Sequence, residues 1–132
     1  MNTTIRSKSG AVRAAALLVL AALAALTLAG CATPFIPDAL TPDLSLVADG
    51  RYIGAYDASM VKASVAVEVA AGAMTRIDIL SHDCSPIGKK AETIVPRVLA
   101  AQSLAVDVVS GATGSSKTLL KAIEDALRKG VL

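Results

Sequence analysis

Val61-Lys62-Ala63-Ser64-Val65-Ala66-Val67-Glu68-Val69-Ala70-Ala71-Gly72-Ala73-Met74-Thr75-Arg76-Ile77-Asp78-Ile79-Leu80 is the stretch whose reading decides the fold. Val61, Ala63, Val65, Val67 and Val69 alternate with Lys62, Ser64, Ala66, Glu68 and Ala70, the period of two that a strand shows when one face is buried. Ala71-Gly72 offers a tight turn, after which Thr75, Ile77 and Ile79 fall on one side and Arg76 and Asp78 on the other. Residues 61–80 therefore predict an antiparallel hairpin. Immediately upstream, 49–57 reads as a third strand with Tyr52 and Tyr56 on one side, and Gly54 between them is a poor strand former.

Downstream the period changes. Between Gly88 and Gln102, Ile94, Val95, Val98 and Leu99 recur at helical spacing around Pro96. Proline removes a backbone donor and disfavours helical geometry in the residue before it, so a break is expected at Val95, with Pro96 opening a second short helix. Val106–Val109 predicts a short strand, and Ser116–Lys129 an amphipathic helix. Leu119, Leu120, Ile123 and Leu127 form its apolar stripe, and Lys117, Lys121, Glu124, Asp125 and Arg128 are expected to face water. Ser115 or Ser116 would cap its start and Gly130 close it. These elements sum to an α+β domain, a small antiparallel sheet with helices packed on one face.

The N-terminal third has a different character. Arg6, Lys8 and Arg13 lead into a small and apolar run from Ala14 to Ala29, the order of a secretory signal. Sixteen residues fall short of the roughly 20 that a membrane-spanning helix needs. Leu28-Ala29-Gly30-Cys31 resembles a bacterial lipobox, which implies a signal peptide over 1–30 and a mature chain starting at a lipid-bearing Cys31. Ala32 after the cysteine favours the outer membrane in a host with two membranes. Pro34, Pro37 and Pro42 then mark 31–48 as an extended, semi-rigid tether, and 49–132 as the folded unit.

Composition narrows the function. The 132 residues are 54% hydrophobic but only 2% aromatic, with no Trp, one Phe and two Tyr, which argues for one domain and against a base-stacking surface. Of 13 Lys and Arg, three lie in the leader, so the remaining chain opposes ten basic to 11 acidic side chains and has no charge excess to attract nucleic acid. With Cys31 committed to lipid, Cys84 has no partner in the chain and is a free thiol or an inter-chain one. One His and one remaining Cys do not close a metal shell.

Asp107-Val108-Val109-Ser110-Gly111-Ala112-Thr113-Gly114-Ser115-Ser116 joins the last strand candidate to the last helix. Two glycines and several hydroxyls before a helix N-terminus make a plausible phosphate cradle, and equally a small-residue turn ending in a serine cap. Gly111 to Thr118 also matches G-x-x-x-x-G-K-[ST] except that Ser116 replaces the second glycine. A P-loop, however, needs a larger parallel sheet and a supply of ATP.

The run from Asp107 to Thr113 resembles the flavinylation motif of the FMN-binding domain family, the domain of the covalent-flavin subunits of sodium-pumping NADH:quinone reductases and Rnf complexes. Asp49-Gly50-Arg51-Tyr52-Ile53-Gly54 is similar to the family's opening strand. Ala101-Gln102-Ser103-Leu104 with Val106-Asp107 is similar to the lead into the motif. Ser81 to Glu92 resembles the segment between hairpin and helices, with Cys84-Ser85-Pro86-Ile87 where many members carry Glu-Thr-Pro-Gly.

The resemblance implies that a flavin transferase moves FMN from FAD onto the hydroxyl of Thr113 as a phosphoester. It makes Ser110, Gly111, Ala112, Asp107, Ser115, Ser116 and His82 the companion cofactor-binding residues: Gly111 and Ala112 leave room for the transferase, Ser110 donates a hydrogen bond, and Asp107 presents the loop. Lys117 is either a phosphate partner or a solvated lysine; His82 is a loop residue or a flavin contact; Cys84 is a small hydrophobe or a redox partner. The function so implied is an extracytoplasmic electron carrier that exchanges electrons with donor and acceptor proteins and is held at the membrane by its lipid. A flavin-dependent oxidoreductase subunit and a non-redox structural lipoprotein are the alternatives.

Overall fold

A computed structural model of the chain describes residues 35–132, so the signal, the lipobox with Cys31 and the first residues of the tether lie outside the described residues. Three strands, β1 (Gly50–Asp57), β2 (Lys62–Ala70) and β3 (Ala73–Asp83), form an antiparallel sheet in the order β1-β2-β3. A 3-10 turn at Gly88–Thr93 leads into α1 (Ile94–Ala101), and after an irregular stretch comes α2 (Thr113–Lys129). The fold is α+β, as the periodicities predict.

The alternation in β2 is realised except at Ala66, which is buried although it falls on the opposite side from the valines: Ala63, Val65, Val67 and Val69 are buried and meet Leu119, Ile123, Leu127, Ile94 and Val98 in one core. Burying each of these larger aliphatic side chains contributes roughly 1.5–3 kcal/mol. The opposite face carries ion pairs among Arg51, Glu68, Asp78 and Arg76. Ala71 and Gly72 both have positive φ, as a two-residue hairpin turn demands.

β3 departs from simple alternation. Val69 pairs with Met74 and Glu68 with Arg76, so Thr75 is an extra residue at a bulge. Met74 is therefore buried, and Thr75 is exposed with its hydroxyl donating to the Glu68 carbonyl, not aligned with Ile77 as alternation suggested. One inserted residue moves a side chain to the other face. Gly54 proves necessary in β1: a Cβ there would stand 2.1 Å from the Ala122 carbonyl oxygen and 2.3 Å from the Ala126 nitrogen, so the backbone of α2 rests directly on the strand.

Several other expectations are corrected. Val106–Val109 is not a strand; the Val109 N–H donates to Ser116 Oγ and the Asp107 carbonyl accepts from Arg97, so side chains replace a ladder. The change to α-helix falls at Ile94, and Pro96 is its third residue, within the first turn where a missing N–H is tolerated. α2 begins at Thr113 with Ala112 at the N-cap and no side-chain cap, so neither Ser115 nor Ser116 caps it, whereas Gly130 does close it. Glu124 is 3% exposed and does not face water. It accepts from Lys121, from Arg128 Nε at 2.9 Å and from the Leu40 N–H at 3.2 Å.

That last bond belongs to a strap. Within the stretch read as a tether, the described residues lie along the domain: Asp38 pairs with Lys117 at 2.9 Å, and Thr41 Oγ1 accepts from the Leu104 N–H at 2.7 Å. Val47 is buried and bridges Val131. Both sheet edges are partly occupied by side chains. Asp125 accepts from the Ala55 N–H and Lys129 donates to the Ile53 carbonyl, while Gln102, in left-handed conformation, bonds both the N–H and the carbonyl of Met74. No helix among the described residues is long and apolar enough to cross a membrane.

Candidate functional site

The loop from Asp107 to Ala112 delivers the chain to the N-terminus of α2. It is fixed from behind by Ser116, whose fully buried hydroxyl accepts from the Val109 N–H at 3.0 Å, and by the Ala112 N–H bond to the Val109 carbonyl at 2.9 Å. Ala112 is buried, whereas Asp107, Ser110, Gly111, Thr113 and Gly114 are exposed. Gly111 has φ 78°, a backbone that a side chain would strain. A Cβ built on Gly111 or on Gly114 would meet nothing within 4 Å, so Thr113 has open space before and after it in the chain.

The first intrahelical bond of α2 runs from the Ser116 N–H to the Ala112 carbonyl. The amides of Thr113, Gly114 and Ser115 therefore precede the hydrogen-bonded ladder, where donors and the positive end of the helix dipole favour an anion. Ser110, Gly111 and Thr113 stand at the open side of this turn. Ser115 and Ser116 are turned inward at 5% and 0% exposure, and Thr118 donates to the Gly114 carbonyl at 2.9 Å, stiffening the turn.

Lys117 is neither solvated nor free. Its ammonium pairs with Asp38 at 2.9 Å and donates to the Ile36 carbonyl at 3.3 Å. With no strand leading into the loop, only antiparallel strands in the sheet, and this lysine engaged by the strap, the P-loop reading fails.

His82 is not a loop residue. It is the penultimate residue of β3, opposite Ala63, and its side chain is wholly buried. Its Nδ1 lies 3.1 Å from Glu92 Oε1 and 3.7 Å from Cys84 Sγ, while Nε2 has no hydrogen-bond partner. The hydrogen bond from His82 holds the Glu92 carboxyl below the usual carboxylate range against the opposing effect of burial, helped by Lys89. Glu92 was the residue missed: ten positions separate it from His82, and no local pattern joins a strand end to a 3-10 turn. Gly88 ties this cluster to the helix. A Cβ on Gly88 would be 2.5 Å from Ser115 Oγ and 3.0 Å from Cys84 Sγ, so the 84–88 loop presses against the first turn of α2.

Tyr52 and Tyr56 pack at the border of the core, Tyr52 donating to the Ala48 carbonyl at 2.8 Å. Among the described residues no group of His, Cys, Asp and Glu side chains is arranged to hold a metal ion.

The model of the FMN-binding domain family matches residues 58–128, from the turn before β2 almost to the end of α2. The chain belongs to that family. No curated protein and no solved structure matches it. The matched span includes the hairpin, the His82 cluster and the whole Asp107–Ser116 loop, so membership makes this a flavin-binding protein and FMN the cofactor to be fitted. The open space beside Gly111 and Gly114, together with the unbonded amides after Ala112, suits a phosphate at Thr113.

Proposed function

We propose that this FMN-binding protein carries its flavin covalently on Thr113, is exported and lipid-anchored through Cys31, and passes electrons between a donor and an acceptor protein. The observation that carries the reading is the setting of Thr113: exposed, first in its helix, with open space beside both flanking glycines. Attachment requires Thr113 Oγ1 to attack the FMN phosphorus of FAD, forming the Thr–O–P bond as AMP departs and the hydroxyl proton is lost. The open flanks allow a transferase to reach that hydroxyl, and the helix amides offset the charge of the resulting diester.

Covalent attachment fits the shape of the domain. An exported carrier that held FMN reversibly would lose it by dilution, whereas a tether maintains a high effective concentration without a deep pocket. Bound FMN supplies one- or two-electron chemistry. The protein's part is to hold the phosphate end fixed, through Ser116 and Ala112, while the flavin end meets its partners. The lipobox-like Leu28-Ala29-Gly30-Cys31 supports the anchor.

The test is co-expression with a flavin transferase, followed by intact mass and a denaturing gel viewed for flavin fluorescence. One FMN per chain is expected, lost in Thr113→Ala with the circular dichroism unchanged. Wild-type protein that stays flavin-free beside an active transferase, or a Thr113→Ala protein that stays fluorescent, refutes the assignment. Partition of mature wild-type protein into detergent, abolished by Cys31→Ala, tests the anchor separately.

A further inference from the structure

We propose that the strap is a clasp opened by flavin attachment: the phosphoryl group on Thr113 draws the Lys117 ammonium away from Asp38 and frees residues 36–39 from α2. This rests on the attachment to Thr113 argued above.

The two halves of the strap are held differently. From Leu40 onward the hold is firm: the Leu40 N–H donates to the buried Glu124 carboxylate, Thr41 Oγ1 accepts from the Leu104 N–H at 2.7 Å, and buried Val47 bridges Val131. Residues 36–39 have, among the described residues, a single polar partner. Lys117 donates to the Ile36 carbonyl at 3.3 Å and pairs with Asp38 at 2.9 Å. The Asp38 side chain is 86% exposed, so water screens the pair and its grip is weak. Packing adds little, because a cavity of about 220 Å³ is lined by Asp38 and Ala39 on the strap and by Val106, Val108 and Leu120 on the domain.

Lys117 stands four residues after Thr113 in the same helix. Residues so spaced share a face, and long helical side chains lean back over the preceding turn, which here is the turn of Thr113. Thr113 is exposed, with open space at the glycines on either side. A phosphodiester on its oxygen carries one negative charge and is fixed there covalently, at a high effective concentration beside the ammonium. Asp38 competes for the same ammonium only while its own segment stays ordered, at an entropic cost. An anion followed four residues later by a lysine is also the favourable order for a pair on a helix. The change is an exchange of ionic partners in which no proton moves and no covalent bond breaks. It follows the transfer, so attachment itself does not need the lysine. Release uncovers the wall formed by Val106, Val108 and Leu120, and loaded and empty protein then present different surfaces beside the motif loop.

The experiment is hydrogen–deuterium exchange of full-length protein, read by mass spectrometry over residues 36–40, where the Leu40 amide reports fraying of the strap from Glu124. Flavin-loaded wild type is compared with flavin-free wild type made without a transferase. Flavin-free Thr113→Glu places one negative charge at the same position without a ring system, and Thr113→Gln is its neutral control. Loading should speed exchange over 36–40 at least fivefold and leave the hairpin unchanged. Thr113→Glu should act in the same direction and Thr113→Gln should not, whereas Asp38→Asn should exchange fast with or without flavin. Unchanged or slower strap exchange in protein that carries flavin on Thr113 overturns the clasp and leaves the attachment standing. Acceleration by loading but not by Thr113→Glu overturns it too, since the bulk of the ring would then displace the strap. Slow exchange in flavin-free Asp38→Asn shows that the ion pair does not hold the strap, and overturns it as well. Absence of flavin from Thr113 overturns both the clasp and the attachment.

Discussion

Gly54→Ala probes the interface on which the site depends. The new Cβ would be built 2.1 Å from the Ala122 carbonyl oxygen, 2.3 Å from the Ala126 nitrogen and 2.8 Å from the Ala126 Cα. All three are backbone atoms of α2, so no rotamer change relieves the clash; strand and helix must separate by an ångström or more. Overpacking usually costs about 1–3 kcal/mol where side chains can adjust. Here, where they cannot, about 3 kcal/mol or more is expected, a fall in Tm on the order of 10–20 °C for a domain of this size. Gly111→Ala is the matched control. Its Cβ meets nothing within 4 Å, so only the strain of a side chain at φ 78° remains, about 1 kcal/mol. Urea titrations followed by circular dichroism measure both. A Gly54→Ala protein within 0.5 kcal/mol of wild type (roughly the scatter of ordinary surface substitutions), or one less affected than Gly111→Ala, would refute the close seating of α2 on β1.

Acid should loosen the strap. Glu124 is pushed up by burial but held below the usual carboxylate range by Lys121, the Leu40 N–H and Arg128, so its folded pKa is depressed. Its stabilising contribution is therefore present above the ordinary carboxylate pKa and lost as pH falls through the folded value. Stability should be level from neutral pH to about 5 and decline below about 4. Glu124→Gln should cost roughly 1–3 kcal/mol at neutral pH and flatten the acid decline, as read from thermal melts across pH; an unchanged decline would contradict the assignment. Lys117→Ala should leave covalent flavin loading intact while weakening the hold on Asp38, and loss of gel-stable fluorescence in that variant would show the lysine to be engaged with phosphate. Asp107→Ala should lower the loaded fraction without changing the melting curve, since its side chain is exposed; equal loading would show that the transferase does not need the carboxylate.

What could be read in the sequence was whatever is carried by local period. The β2 alternation and the Leu119–Leu127 stripe name the core because strands and helices sort side chains by position alone. The bulge at Thr75 was hidden because alternation on paper counts every residue, whereas the register depends on the partner strand. Val106–Val109 has strand composition, but the groups that satisfy its backbone, Ser116 and Arg97, come from elsewhere in the chain. Glu124 has the pattern of a solvent-facing residue, but its carboxylate is enclosed by Lys121 and Arg128 of its own helix and by the Leu40 N–H of the strap. The same holds at the site. Thr113 is legible as the residue of a motif, while the burial of His82 and its pairing with Glu92 arise from the folding of β3 against the 3-10 turn.

These contacts meet on one helix. β1 seats on Ala122 and Ala126, the motif loop is held by Ser116, the 84–88 loop rests on Ser115, and the strap bonds Lys117 and Glu124. The first turn of α2 is thus fixed on every side except the one that Thr113 and Gly114 present, which is how a chain nearly without aromatic side chains can position a large cofactor.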